Sequence, residues 1–122
     1  VCDQGDLYMA LGTRGGAGQP QTLTQILSAV IDYGLDVQEA VSGPRWIYGG
    51  TTSARQADGL VLEGLIQGEV YEELRKGDIP VQWTDDLSVG WMGCAQVVLV
   101  DKVSQLLIGG ADPRGGGLAE GF

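Results

Sequence analysis

Histidine is absent from this sequence, and cysteine and aromatic residues are scarce. The 122 residues include two cysteines, one phenylalanine and no histidine. Without histidine, the chain cannot build a Ser/His/Asp triad, a Cys/His dyad or a zinc site with histidine ligands from its own residues. Cys2 and Cys94 lie far apart in the sequence, which argues against a disulfide scaffold and against a cysteine zinc site. We therefore expect no metal and no cofactor, and we interpret Cys94 as a small buried thiol.

Basic residues are also few. Seven Lys and Arg residues stand against 16 Asp and Glu, which gives a formal net charge of −9 at pH 7. No basic patch is available to displace counterions from a phosphate backbone, so nucleic acid is not expected as a partner. No apolar run reaches about 18 residues and no signal-peptide pattern occurs, so we expect no membrane partner, and the cellular location stays unknown. The hydrophobic content of 43% suits a single domain, residues 1–122.

Glycine, by contrast, is abundant, and its arrangement after the first predicted strand is the most informative feature. Leu7–Leu11 is apolar and of strand length, and the glycines between Gly12 and Gly18 allow positive φ and a close approach of the backbone to a ligand. A helix is predicted after Pro20, with Gly34 at its C′ position and one apolar face of Leu23, Ile26, Leu27, Val30 and Ile31. Its first turn would point free amides at Gly15 and Gly16, which favours an anion there. The alternative is a tight turn without a ligand.

The remaining sequence alternates between predicted helices and strands. Asp36, with Glu39 three residues later, has the pattern of a capping box for a short helix that Gly43–Pro44 ends. A hairpin is predicted from Ala95–Val100 and Leu106–Ile108, with its first strand covered on both faces because it is almost continuously apolar. The other predicted elements are strands Leu60–Leu62 and Ile79–Trp83, a helix Glu69–Lys76 with Val70 and Leu74 facing inward, a loop Gly50–Asp58 and a solvated turn at Asp85–Asp86.

Several short motifs occur in a fixed order along nearly the whole chain. They are GGAGQPQ at 15–21, Gly34–Leu35–Asp36, Gln38–Glu39–Ala40–Val41, Pro44–Arg45, Met92–Gly93–Cys94–Ala95–Gln96 and Ala111–Asp112–Pro113–Arg114. Together they resemble the C-terminal part of the small subunit in the gamma-glutamyltranspeptidase family, and GGAGQPQ resembles its acylase-like branch. The chain departs from that pattern at Ala17, Asp78, Cys94 and Gly116, where the family more often has aspartate or histidine.

The resemblance implies an α+β fold, part of the αββα sandwich of an N-terminal-nucleophile hydrolase. In this family a self-cleaved precursor frees a threonine, which attacks a gamma-glutamyl or related amide and forms an acyl-enzyme. The resemblance assigns the oxyanion hole to Gly15 and Gly16. It also implies that Leu7–Leu11, Ala95–Val100 and Gln105–Gly110 share one sheet, with the helix Leu23–Ile31 packed on it.

The resemblance aligns the family's nucleophilic threonine and its substrate-binding groups before Val1. We therefore expect the chain to be a C-terminal fragment that is inactive alone, with the remainder of the same precursor and a gamma-glutamyl or acyl-amide substrate as its partners. A non-catalytic binding or structural module is the alternative. Two further roles stay open from the sequence. Arg45 either pairs with a buried carboxylate or contacts a ligand, and Trp46 and Tyr48 either pack or line a pocket.

Overall fold

The computed structural model describes residues 1–49, 58–85 and 92–121. Helices and strands are both present, which confirms the α+β class. The strands are β1 (Cys2–Asp3), β2 (Asp6–Leu7), β3 (Met9–Arg14), β4 (Trp46–Tyr48), β5 (Leu60–Glu63), β6 (Val81–Thr84), β7 (Cys94–Asp101) and β8 (Leu106–Ala111). The helices are α1 (Gln19–Ile31), α2 (Val37–Ser42) and α3 (Gly68–Leu74), with 3₁₀ turns at Gly16–Gly18 and Pro113–Gly115.

The first sheet has the strand order β3-β7-β8, and both pairings are antiparallel. Arg14 lies opposite Cys94 at one end of the β3–β7 pair, and Gln96 lies opposite Ala111 in the hairpin of β7 and β8. The predicted common sheet is therefore confirmed. The first strand is shifted relative to its prediction, because Leu7 pairs instead with Cys2 in the small β1–β2 hairpin.

Helix α1 packs on β3, but its buried face is rotated from the predicted one. Ile26 and Val30 are buried as predicted, and Leu27 is partly buried against the same core. Thr22 is buried as well, whereas Ile31 is 52% exposed, so the prediction that Ile31 packs inward is wrong. Buried positions four residues apart define a narrow stripe along the helix, and Ile31 lies beside that stripe at the last turn.

Helix α2 is built by the capping box that the sequence predicts. The Asp36 carboxylate accepts from the Glu39 amide at 2.8 Å, and the Glu39 side chain accepts from the Asp36 amide at 3.4 Å. The helix packs on β7 and β8. Its inward residues complete one core cluster, which consists of Met9, Ile26, Val30, Val37, Ala40, Val41, Ala95 and Val97.

The second sheet has the order β4-β5-β6, with β4 antiparallel and β6 parallel to β5. Helix α3 forms the crossover between the parallel pair. Val70 and Leu74 of α3 point toward the sheet, as predicted, but they remain 45% and 39% exposed. They face an open apolar groove of about 460 Å³, together with Pro44, Trp46, Leu60, Leu62 and Ile66. Residues 50–57 of the predicted loop, and Asp86, lie outside the described residues.

Strand β7 is covered on one face within the described residues. Ala95 and Val97 are buried beneath the helices, whereas Gln96 and Val98 are exposed. The prediction that both faces are covered is therefore wrong for the described residues, in which Gln96 and Val98 on the second face remain open to solvent. Among the described residues, no helix is both long enough and apolar enough to cross a membrane.

Candidate functional site

The chain turns sharply between strand β3 and helix α1 through two successive glycines. Gly15 has φ +152° and Gly16 has φ +58°, conformations that residues with a side chain rarely adopt. The Gly18 amide donates to the Gly15 carbonyl at 3.1 Å and closes the 3₁₀ turn. Helix α1 then begins at Gln19 with Pro20 in its first turn, where the fixed φ of proline suits a helix start. Gly15 and Gly16 thus stand where a strand, a turn and a helix N-terminus meet.

The amides of Gly15 and Gly16 have no hydrogen-bond acceptor in the part of the chain that the structure describes. Gly15 also lies against Gly93, because a Cβ built on Gly15 would be 3.2 Å from the Gly93 Cα. A Cβ on Gly93, which has φ +75°, would overlap the Arg14 carbonyl. The turn before β7 therefore closes on the corner, which brings the Met92–Gln96 motif beside GGAGQPQ.

The Met92 carbonyl holds this turn in place from two sides. The buried Thr22 hydroxyl of α1 donates to it at 3.1 Å. Nη1 of Arg45 donates to the same oxygen at 3.1 Å. Thr22 is in the first half of α1, so the helix, the Met92–Gly93 turn and Arg45 form one connected unit next to Gly15.

Arg45 also belongs to a group of four buried charged side chains, which we call the arginine–carboxylate cluster. Arg45 pairs with Asp112 at 2.7 Å, and Arg114 pairs with Asp112 at 3.0 Å and with Glu63. The side chains are at most 3% exposed. Arg45 and Arg114 both donate to the Val41 carbonyl, and Arg114 also donates to the Gly43 carbonyl. The cluster therefore joins the end of α2 to β5 and to the segment after β8.

Hydrogen bonds and charge pairing outweigh the effect of burial on the pKa of Asp112, the carboxylate that both arginines contact. Burial by itself would raise the pKa of Asp112, but the Ala95 amide, the charge of Arg45 and the bonds from Arg114 hold that pKa below its usual value. Burial and the neighbouring Arg114 charge lower the pKa of Arg45. Burial opposes the charge of Arg114 too, yet its bonds and charge pairing with Glu63 raise the Arg114 pKa. Asp112 is therefore held as an anion between two cations.

These positions decide between the two roles that the sequence left open for Arg45. Its guanidinium pairs with a buried carboxylate and is 2% exposed, so its contacts in the described residues are structural. Asp112–Pro113–Arg114 is an ordered element, because the Asp112 side chain caps the last 3₁₀ turn through the Arg114 amide at 3.0 Å. Sequence reasoning missed Glu63, whose only local signal is a charged residue at the end of an apolar strand.

The aromatic residues and cysteines lie at the periphery of this arrangement. Tyr48 is 55% exposed and lines an open pocket of about 400 Å³ with Asp58 and Asp78, among others. Cys94 is half-buried rather than fully buried, and its sulfur accepts from Gln96 Nε2 at 3.3 Å. Cys2 is exposed, and both thiols are free. No three metal-ligating side chains are grouped in the described ranges.

The comparisons with known proteins agree with this geometry. The gamma-glutamyltranspeptidase family model matches residues 1–122. The chain belongs to the gamma-glutamyltranspeptidase family. It is 40% identical over 122 residues to a glutathione hydrolase-like proenzyme of Bacillus subtilis, YwrD, and those residues cover 100% of this chain and 23% of that protein. The chain thus spans less than a quarter of the length of this curated relative.

Solved structures of the family have the same fold. The gamma-glutamyltranspeptidase from Pseudomonas nitroreducens, complexed with L-DON, matches 100% of this chain and 59% of its own with a TM-score of 0.77 and 26% identity. A cephalosporin acylase from Bacillus halodurans matches 92% of this chain and 19% of its own with a TM-score of 0.79 and 25% identity. These neighbours confirm the N-terminal-nucleophile hydrolase fold, and an acylase stands among them as the GGAGQPQ segment predicted.

Proposed function

We propose that residues 1–122 form one domain, the C-terminal portion of a gamma-glutamyltranspeptidase-like enzyme that cleaves gamma-glutamyl or related acyl amides through an acyl-enzyme. In this proposal Gly15 and Gly16 supply the oxyanion hole. A threonine elsewhere in the precursor is the nucleophile, and its own amine serves as the base. The 122-residue portion provides one wall of the active site and is inactive alone.

The observation that carries the proposal is the pair of amides at Gly15 and Gly16, which have no acceptor among the described residues. When the threonine attacks an amide carbonyl, the negative charge develops on one oxygen, and donors already aimed at that oxygen stabilise the transition state. Positive φ at both glycines takes the backbone out of the regular strand and helix conformations at this corner. The adjacent N-terminus of α1 adds the positive end of its dipole. The contact between Gly15 and Gly93 limits the freedom of the corner, as preorganised donors require.

We also propose that the remainder of the precursor is the partner of this chain. The open face of the first sheet supports this proposal. This face carries exposed apolar side chains such as Val98 and Leu107. A sheet with one uncovered apolar face is half of a sandwich. The name proenzyme, which the Bacillus subtilis relative bears, fits a larger precursor that is processed. Its description as glutathione hydrolase-like favours hydrolysis over transfer for this chain too.

The test replaces Gly16 with valine in the complete, self-processed protein. A β-branched residue at φ +58° is strained and misdirects the amide. We expect kcat for gamma-glutamyl-p-nitroanilide to fall about 100- to 1000-fold, as for the loss of one oxyanion donor. KM should change less, because the donor acts mainly on developed charge.

Gly34→Val is the matched control, since Gly34 also has positive φ, at +68°, and a Cβ there meets nothing within 4 Å. It imposes similar backbone strain away from the corner, so the folded, processed variant should retain kcat. An unchanged kcat in folded, processed Gly16→Val would show that the glycines only turn the chain.

A further inference from the structure

Two glutamines of α1 pair with the edge of strand β4 that faces away from β5. Gln21 Nε2 donates to the Tyr48 carbonyl at 3.0 Å, and its Oε1 accepts from the Tyr48 amide at 2.8 Å. Gln25 makes the same pair of bonds with Trp46, at 2.9 and 3.0 Å. Strand β5 pairs with the other edge of β4. Each carboxamide therefore bonds the backbone N–H and C=O of one β4 residue, as a residue of a neighbouring strand would.

The spacing of the two elements makes this pairing possible. Four residues of helix advance about 6 Å, and two residues of strand advance about 6.6 Å. Gln21 and Gln25, one turn apart, thus face Tyr48 and Trp46, whose backbone groups point to the same edge. An amide side chain carries a donor and an acceptor side by side on separate atoms, whereas a carboxylate only accepts and a thioether does neither well.

The glutamines fix the start of α1 relative to the second sheet. Gln21 lies in the first turn of the helix, directly after the Gly16–Gly18 turn. On another side of the same helix Thr22 binds the Met92 carbonyl, and the neighbouring Gly93 touches Gly15. The corner is therefore attached to both sheets, through β4 by the glutamines and through the turn before β7 by Thr22.

We propose that Gln21 and Gln25 are positioning residues, which align the Gly15 and Gly16 amides by fixing the first turns of α1 against the edge of β4. The inference rests on the proposed oxyanion hole. A simpler role would be to cover an edge strand against pairing with other chains, and that role would affect stability without affecting the corner. A displacement of catalytic groups by about 1 Å can lower a rate by about 100-fold, so small movements of α1 are measurable as kcat.

The experiment compares Gln21→Met and Gln25→Met with a matched control, Gln38→Met, in the complete, processed protein. Gln38 makes the same two-sided bonds with the Ala111 backbone, at 3.0 and 3.1 Å, but it lies on α2 and pairs with the end of β8. We expect the first two variants to lower kcat for gamma-glutamyl-p-nitroanilide about 10- to 100-fold with KM within about twofold. The control should lower only the thermal midpoint. If Gln21→Met fails to fold, Gln21→Glu keeps the side-chain length and one of the two bonds.

Hydrogen exchange of the peptide spanning residues 12–18 provides a readout that is independent of catalysis. The Gly18 amide is bonded to the Gly15 carbonyl, so exchange there should accelerate in Gln21→Met and Gln25→Met but not in Gln38→Met. Unchanged exchange and unchanged kcat in the folded variants would overturn the positioning role. Faster exchange with unchanged kcat would confirm the attachment and contradict the oxyanion assignment instead.

Discussion

At the scale of single residues, the arginine–carboxylate cluster has the largest energetic consequences. Its formal charges balance, with Arg45 and Arg114 against Glu63 and Asp112, and all four side chains are removed from water. A complete buried cluster need not stabilise a protein more than apolar residues would, because desolvation is costly. Removal of one member, however, leaves an uncompensated charge and typically costs about 3–5 kcal/mol. The cluster therefore connects the two sheets rigidly, and we expect that replacement of any one of its four side chains destabilises the protein.

The lowered pKa of Asp112 predicts a specific dependence of stability on pH. Because the folded carboxyl binds its proton less readily than the unfolded one, its contribution is complete above the unfolded pKa of about 3.9 and declines as the pH falls through the lower folded pKa. We expect Asp112→Asn to reduce the free energy of unfolding by about 3–5 kcal/mol near pH 7. The difference from the parent protein should shrink progressively below about pH 4, as first the unfolded and then the folded Asp112 binds a proton and becomes neutral like the asparagine.

Denaturant unfolding between pH 3 and pH 7 measures this difference. Asp6→Asn is the control, because Asp6 is an exposed carboxylate 3.5 Å from Lys102 and surface pairs contribute little. A constant difference between the parent and Asp112→Asn across the whole range would contradict the lowered pKa.

At the scale of elements, the rotation of α1 is the clearest departure from the sequence pattern. The apolar spacing is compatible with a face that contains Ile31, but the helix turns Thr22, Ile26 and Val30 to the sheet. Thr22 occupies the buried stripe because its hydroxyl has an acceptor, the Met92 carbonyl. A polar side chain can be buried at small cost when it is hydrogen-bonded. The orientation of α1 is thus set by a contact outside the helix.

This orientation predicts unequal costs for two isoleucine truncations in one helix. Ile26 is 1% exposed and Ile31 is 52% exposed. Ile26→Ala should reduce the free energy of unfolding of the 122-residue chain by about 2–5 kcal/mol, because it leaves a cavity in the core. Ile31→Ala should change it by less than about 1 kcal/mol. Chemical denaturation of both variants checks the ranking, and equal losses would support the face predicted from periodicity instead.

At the scale of the whole molecule, the open face of the first sheet and the residues proposed for catalysis both support the proposed partnership with the remainder of a precursor. Strand β8 exposes Leu107 at 71%, on the same face as the exposed Val98 of β7. A monomeric surface seldom leaves a continuous apolar patch open. The same chain has no histidine, and its proposed contribution to catalysis is a pair of backbone amides. Both features agree with the proposal that the chain is one portion of a larger precursor.

The isolated 122-residue chain is accordingly predicted to have no amidase activity. The reason is the absence of the nucleophilic threonine that the proposal assigns to another part of the precursor. Purified chain would be assayed with gamma-glutamyl-p-nitroanilide beside the complete, processed protein as the positive control. Turnover that survives re-purification and disappears on replacement of Cys2 or Cys94 would contradict the prediction and identify a thiol nucleophile.

The sequence by itself determined the features that depend on neighbouring residues. The corner at Gly15 and Gly16, the capping box at Asp36 and the hairpin of β7 and β8 all follow from turn chemistry and from spacing along the chain. Such features are predictable because positive φ, capping and strand alternation are local requirements. The common sheet of β3, β7 and β8 was predictable as well, through the family resemblance.

Only the tertiary structure decided which distant groups meet. The sequence suggested a carboxylate for Arg45 but did not identify Asp112, and it gave no reason to place Glu63 beside Arg114. It likewise could not show that Gln21 bonds to the Tyr48 backbone, that Gly93 touches Gly15, or that β7 is open on one face. Sequence periodicity indicates only which positions of an element are apolar or polar. Pairing and burial depend on how separate elements are oriented in space, because these contacts join residues far apart in the chain.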